Sequence, residues 1–138
     1  MDAVEIGSAS EHLRLGVEPD DPALDYLVAC VAVDGLSATT KVYAHYANGW
    51  RELADFFAGL AADWRGWSGM REWSSLEPDL KSEARHEHGN VQLHVTLRHA
   101  LAGWGNHWWK ASVDLALEPG EQLSRVASEM KDFVNFSA

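Results

Sequence analysis

The sequence has little positive charge: 11 lysines and arginines stand against 21 aspartates and glutamates, a net charge of −10. Sequence-independent binding of nucleic acid needs a basic face, so this balance excludes that class. Cys30 is the single cysteine and has no internal disulfide partner, which fits a reducing compartment. No apolar run approaches the roughly 18 residues of a membrane span. The first residues are acidic where a signal peptide is basic, so we expect a cytoplasmic protein.

Catalytic and metal-binding motifs are also missing. Gly66-Trp67-Ser68-Gly69 lacks the final glycine of a nucleophile elbow, because Met70 stands there. His86 and His88 share one face of a predicted strand, but no third ligand follows them at metal-site spacing. We therefore predict no catalytic residues, no bound metal and no cofactor. Both histidines are interpreted as half-buried, hydrogen-bonded residues at the end of a sheet.

The patterning predicts an α+β fold. The length of 138 residues and the 46% hydrophobic content suit a single domain over residues 1–138. Alternating apolar residues predict an antiparallel sheet of about six or seven strands over 4–7, 13–17, 26–33, 39–46, both arms of a hairpin at 80–99, and 109–117. The strand at 26–33 is apolar on both faces, so we expect it to be central and covered on both sides.

The 80–99 hairpin has two possible registers. A two-residue turn at Gly89-Asn90 keeps the apolar and charged faces separate, and so does a turn at His88-Gly89. The second register sets Leu80 opposite Leu97. Both place an apolar face toward the core and a charged face toward solvent.

Two helices complete the predicted fold, one inserted mid-chain and one at the C-terminus, both packed on the sheet. Asn48 is the expected N-cap of the first helix, and Pro119 the expected first residue of the second. Each carries an apolar stripe at helical spacing, in the first Trp50, Leu53, Phe57, Leu60 and Trp64, and in the second Leu123, Val126, Ala127, Met130, Phe133 and Val134. Two layers must bury these faces against each other.

Tryptophan is the unusual component, with seven residues gathered in two stretches. Such side chains either fill the core or form a surface for a partner or ligand, and arginines between them suit stacking on the rings. The candidate surface consists of Trp64, Arg65, Trp67, Arg71, Trp73, Trp108, Asp20 and Asp21.

A longer pattern carries a family resemblance. It combines the segment Trp64-Arg65-Gly66-Trp67, the later Trp73, a Gly-containing hairpin and the run 117–123 before the last helix. Over about residues 25–134 the chain resembles a family of small bacterial domains of unknown function. It resembles more distantly the WapI-type immunity proteins in the order of its strands, its helix with an aromatic pair and its closing helix. That likeness implies a non-enzymatic protein that binds and neutralises a cognate toxin, and it transfers no catalytic residue.

Two functions therefore remain open. One is an immunity-type protein whose partner is a basic protein toxin; the other is a small-molecule-binding domain with a tryptophan-lined pocket between sheet and helices. An apolar cavity of about 300 Å³ or more, lined by Trp67, Trp73 or Trp108, favours the second. Neither hypothesis predicts an oligomeric state.

The acidic first 25 residues generate a prediction about association. Seven acids against one base create a negative field that steers a basic partner. Once the partner is known, amides at Glu18, Asp20, Asp21 and Asp25 should slow association several-fold at low salt, and the effect should shrink as the Debye length falls from about 10 Å at 0.1 M to about 3 Å at 1 M. If the association rate and the stability of this variant are both unchanged, the segment contributes to solubility alone.

Overall fold

A computed structural model describes residues 3–17, 25–45, 47–77, 79–100 and 107–134, with only the backbone described at Ala100, His107 and Trp108. The elements of these ranges are β1 (Ala3–Gly7), β2 (His12–Gly16), β3 (Tyr26–Val33), β4 (Leu36–Tyr43), α1 (Arg51–Ala62), β5 (Met70–Ser74), β6 (Leu80–Glu87), β7 (Asn90–Ala100), β8 (His107–Leu117) and α2 (Glu121–Val134). The α+β class is therefore as predicted. None of the described helices is both long and apolar enough to cross a membrane.

The strands form two sheets rather than one. Sheet 1 has the order β1-β2-β3-β4 and sheet 2 the order β5-β6-β7-β8, and every pairing within them is antiparallel. The prediction of a single sheet of six or seven strands was wrong. It omitted β5, none of whose side chains is fully buried, so the apolar alternation that marks a strand is weak there.

Sheet 1 is buried on one face. Leu27, Ala29 and Val31 of β3 are fully buried, whereas the residues between them are only half-buried. The expectation that both faces of this strand are covered was therefore wrong, although its bounds match the prediction. The turn at 34–35 is also as predicted, because Val33 pairs with Leu36 across it. The next strand begins there, three residues before its predicted start.

Sheet 2 resolves the register of the central hairpin. Leu80 lies opposite Leu97, and Glu87 lies opposite Asn90, so the turn residues are His88 and Gly89. Both have positive φ, 54° and 79°, the signature of a type I′ turn that matches the twist of paired strands. Of the two open registers, the one with the turn at His88-Gly89 is adopted.

The helices begin and end differently from the predictions. The N-cap of α1 is Trp50, which makes no capping hydrogen bond with its side chain, so Asn48 is not the cap. The Asn48 amide donates instead to Glu52 Oε1 at 3.0 Å. Trp64 lies beyond the end of α1 and is outside its buried stripe. Pro119 precedes α2, which begins at Glu121.

One hydrophobic cluster joins the inner faces of both sheets and both helices. The helices pack against each other, α1 contacts β5 and α2 contacts β1. The sheets meet where β4 contacts β7 and β1 contacts β8. At the first of these contacts, Thr40 Oγ1 lies 3.2 Å from His99 Nδ1, and the His99 ring stacks on Trp109. Burial of these faces therefore fixes how the sheets and helices sit together.

The hairpin turn yields a stability prediction. A histidine in the left-handed region is strained, whereas Asn-Gly is the preferred type I′ pair. We expect His88→Asn to raise the free energy of unfolding by about 0.5 kcal/mol, and His88→Val to lower it by about 1–2 kcal/mol because a branched Cβ resists positive φ. Urea denaturation measures both. Equal stability of the two variants would contradict the assigned turn.

Candidate functional site

Two surface features lie at opposite ends of the pair formed by α1 and β5. A 12-residue helix is about 18 Å long, so its two ends are well separated. Near its C-terminal end, Arg71 of β5 forms an ion pair of 2.7 Å with Asp63 and donates to the Gly59 carbonyl. Near its N-terminal end, Trp50 and Trp73 line a cleft. We call these features the tryptophan–arginine group (Trp64, Arg65, Trp67 and Arg71) and the aromatic cleft.

Trp67 and Arg71 connect the tryptophan–arginine group to the neighbouring strands and helix. The Trp67 indole N–H donates to the Ala84 carbonyl oxygen at 3.3 Å, which fastens it to β6. The Arg71 guanidinium lies over the Trp67 ring at 4.9 Å from its centroid. Through this stacking, the bond to Gly59 and the ion pair with Asp63, Arg71 links α1, the loop that follows it and sheet 2.

Trp64 and Arg65 are the exposed half of this group. Trp64 is 46% exposed, and the Arg65 guanidinium lies 5.1 Å from its ring centroid. His86 Nε2 donates to the Trp64 carbonyl oxygen at 2.9 Å, and the imidazole meets the Trp67 ring edge to face. His86 is thus half-buried and hydrogen-bonded, whereas His88 is exposed in its turn. Among the described residues, no group of three or more possible ligands is arranged to hold a metal ion.

The aromatic cleft opens where the end of β4, the start of α1 and the end of β5 converge. Its volume is about 250 Å³. Trp50 is 5% exposed and is buried in the wall of the cleft, while Tyr43 and Leu76 are 53% and 54% exposed and stand at the rim. The side chains that line it include Tyr43, His45, Trp50, Glu52, Trp73 and Leu76.

His45 organises the loop on one side of the cleft. Its Nδ1 accepts the backbone N–H groups of Ala47 and Asn48, at 3.0 and 3.1 Å. An acceptor nitrogen carries no proton, so the imidazole is in its Nε2–H form. His45 and Gly49 also exchange two backbone hydrogen bonds, and Gly49 has a φ of 58° that glycine adopts readily. This tight loop directs the chain from β4 into α1.

Ser75 organises the other side. Its backbone N–H donates to the Leu80 carbonyl at 2.9 Å, and its Oγ accepts the Leu80 N–H at 3.2 Å and donates to the Glu77 carbonyl. The hydroxyl thus stabilises the connection from β5 to β6.

Burial raises the pKa of the nearby Asp79 carboxyl above its ordinary value, and the Arg98 guanidinium counteracts the rise.

The sequence-predicted surface is divided by the structure. Trp64, Arg65, Trp67 and Arg71 lie together, and Trp73 lies at the cleft. Asp20, Asp21 and the Trp108 side chain are outside the described residues. Sequence reasoning missed the other named residues of the cleft, which are Tyr43, His45, Trp50, Glu52 and Leu76. Leu76 offered one signal, an apolar residue within the polar run before the next strand.

Comparison with models of protein families shows to which family this chain belongs. A family model described as a family of unknown function, DUF6228, matches residues 5–137. The chain belongs to that family. The resemblance to a domain of unknown function is therefore confirmed, while the likeness to WapI-type proteins stays a hypothesis. Searches of curated proteins and of solved structures each find no match.

The Ser75 contacts generate a prediction. Ser75→Ala deprives the buried Leu80 N–H of one acceptor and the Glu77 carbonyl of its donor, so it should lower the free energy of unfolding by about 1–3 kcal/mol. Ser74→Ala is the matched control, since this hydroxyl makes one 3.3 Å bond on an exposed residue and its loss should cost about 0.5 kcal/mol or less. Chemical denaturation of both variants measures the difference. Equal losses would show that the hydroxyl does not hold this turn.

Proposed function

We propose that this chain is a non-catalytic protein-binding domain of immunity type, which captures and neutralises a basic protein toxin. The observation that carries the proposal is the rim of the aromatic cleft. Two large apolar side chains, Tyr43 and Leu76, are each more than half exposed beside one concave site. Exposed apolar groups gathered at a concave surface are typical of protein interaction sites.

The dimensions of the cleft favour a partner side chain as its occupant. Sites for drug-sized ligands enclose roughly 300–1,000 Å³, and this cleft of about 250 Å³ is smaller. In protein interfaces a few anchor side chains fill small pockets, and aromatic residues are prominent around them. A half-buried Trp73 beside a buried Trp50 suits such a pocket.

Charge favours a basic partner. The net charge of −10 supplies a negative field over the molecule, and electrostatic complementarity raises association rates. Toxins that act on anionic substrates are typically basic at the sites that an inhibitor must cover. The same field disfavours nucleic acid as the ligand.

Small-molecule binding is the second candidate, favoured by the indoles of Trp50 and Trp73 that line the cleft between the sheets and α1. Ligand binding to the folded state raises the Tm. A metabolite that stabilises the wild type but not a Trp73→Leu variant would support this alternative over protein capture.

The proposal predicts which protein is the partner and how substitutions at the rim of the cleft change its affinity. The product of the gene immediately upstream should inhibit growth by itself and be tolerated when co-expressed with this chain. Tyr43→Ala and Leu76→Ala should each raise the Kd of the purified complex at least tenfold, because each removes contact area at the rim. A tenfold rise corresponds to a loss of about 1.4 kcal/mol of binding free energy. Isothermal calorimetry measures the affinity.

Leu36→Ala is the matched control, because Leu36 is an exposed apolar residue at the far end of β4 and does not line the cleft. Its affinity should equal that of the wild type. Wild-type affinity in both rim variants, or an upstream product that this chain neither binds nor neutralises, would contradict the proposal.

A further inference from the structure

The aromatic cleft has a composition suited to a positive charge. Three aromatic side chains, Tyr43, Trp50 and Trp73, line one small site. Aromatic rings carry negative potential on their faces and attract ammonium or guanidinium groups, and tryptophan does so most strongly. Several rings around one site form the kind of cage in which proteins hold cationic groups.

The charged groups of the cleft point the same way. Glu52 is the acidic residue of its lining, and none of the described lining residues is lysine or arginine. Within the described ranges Glu52 forms no ion pair, and its Oε1 accepts one hydrogen bond from Asn48. A carboxylate beside aromatic rings and without a basic neighbour in the lining supplies a negative charge at the cleft.

Several groups near the cleft bear on this charge. Arg51 is exposed, lies outside the lining and donates to Asn48 Oδ1 at 3.3 Å. The N-terminus of α1 contributes roughly half a positive charge, which the full negative charge of Glu52 in its first turn exceeds. His45 accepts two backbone N–H groups at Nδ1. The nearby Lys41 is exposed, with its Nζ 4.6 Å from the Tyr26 ring centroid, and is not part of the lining.

Building on the proposed function, we infer that the aromatic cleft receives an arginine side chain of the partner. A planar guanidinium stacks on aromatic faces and donates at the same time to a carboxylate, whereas an ammonium group cannot stack in this way. The cleft of about 250 Å³ is sized for one side chain rather than a drug-sized ligand. A basic partner supplies arginine on its surface.

The test uses the intact chain and N-acetyl-arginine methylamide as the probe. Indole ¹H–¹⁵N signals are recorded by NMR, with Trp73→Phe identifying the Trp73 signal. We expect saturable shifts of that signal with a Kd in the millimolar range. N-acetyl-citrulline methylamide has nearly the same shape without the charge, and should bind at least tenfold more weakly.

Glu52→Gln removes the charge of the cleft and should weaken arginine binding about tenfold while leaving citrulline binding unchanged. Asp132→Asn is the matched control, because it removes one exposed carboxylate from α2, outside the cleft, and should leave both affinities unchanged. Equal binding of arginine and citrulline, an unaltered arginine Kd in Glu52→Gln, or no shift of the Trp73 signal in a folded wild-type spectrum would each overturn the inference.

The two proposals fail separately. If the rim variants weaken the partner's affinity but arginine and citrulline bind alike, protein capture stands and the arginine site falls. If arginine binds as expected but the rim variants leave the partner's affinity unchanged, the cationic site stands and the proposed function falls.

Discussion

Burial of the inner faces of the two sheets is the constraint on which the rest of the fold depends. Side chains such as Leu15, Val31, Leu93 and Val95 are fully buried, and each fully buried residue of this kind contributes about 1.5–3 kcal/mol from removal of apolar surface. Among the described elements, neither sheet has a separate layer that covers its inner face alone. Both therefore share one core with α1 and α2, and this sharing sets where the two sheets meet.

The aromatic cleft follows from that arrangement. The chain leaves β4, turns sharply through the His45–Gly49 loop and enters α1, whose buried stripe must face the core. It returns through β5, which lies beside α1 and ends at the turn held by Ser75. Two short connections thus meet beside the N-terminus of α1, and the side chains at this junction are not packed tightly enough to close it.

Several features of the fold were predictable because they depend on local spacing. The bounds of β3, the turn at 34–35 and the buried stripe of α2 follow from apolar periodicity and turn residues alone. The hairpin registers could not be distinguished from the pattern, because both separate the apolar from the charged face. The positive φ of His88 accompanies the adopted register, and histidine is a weak signal for such a turn. β5 was missed because the partial burial of its side chains leaves no clear alternation.

The sequence by itself determined the α+β class, the one-sided patterning of the 80–99 hairpin and α2, and the acidic balance, since these depend on residue order and composition. Only the tertiary structure decided that the strands divide into two sheets and that the tryptophans have different roles. Trp50 is buried, Trp64 is exposed and Trp67 is bonded to β6 through Ala84. Identical side chains differ in this way because burial depends on which distant elements pack around each one. The cleft is a product of the same long-range packing, since it brings Tyr43 near Trp73 from strands that are not neighbours in either sheet.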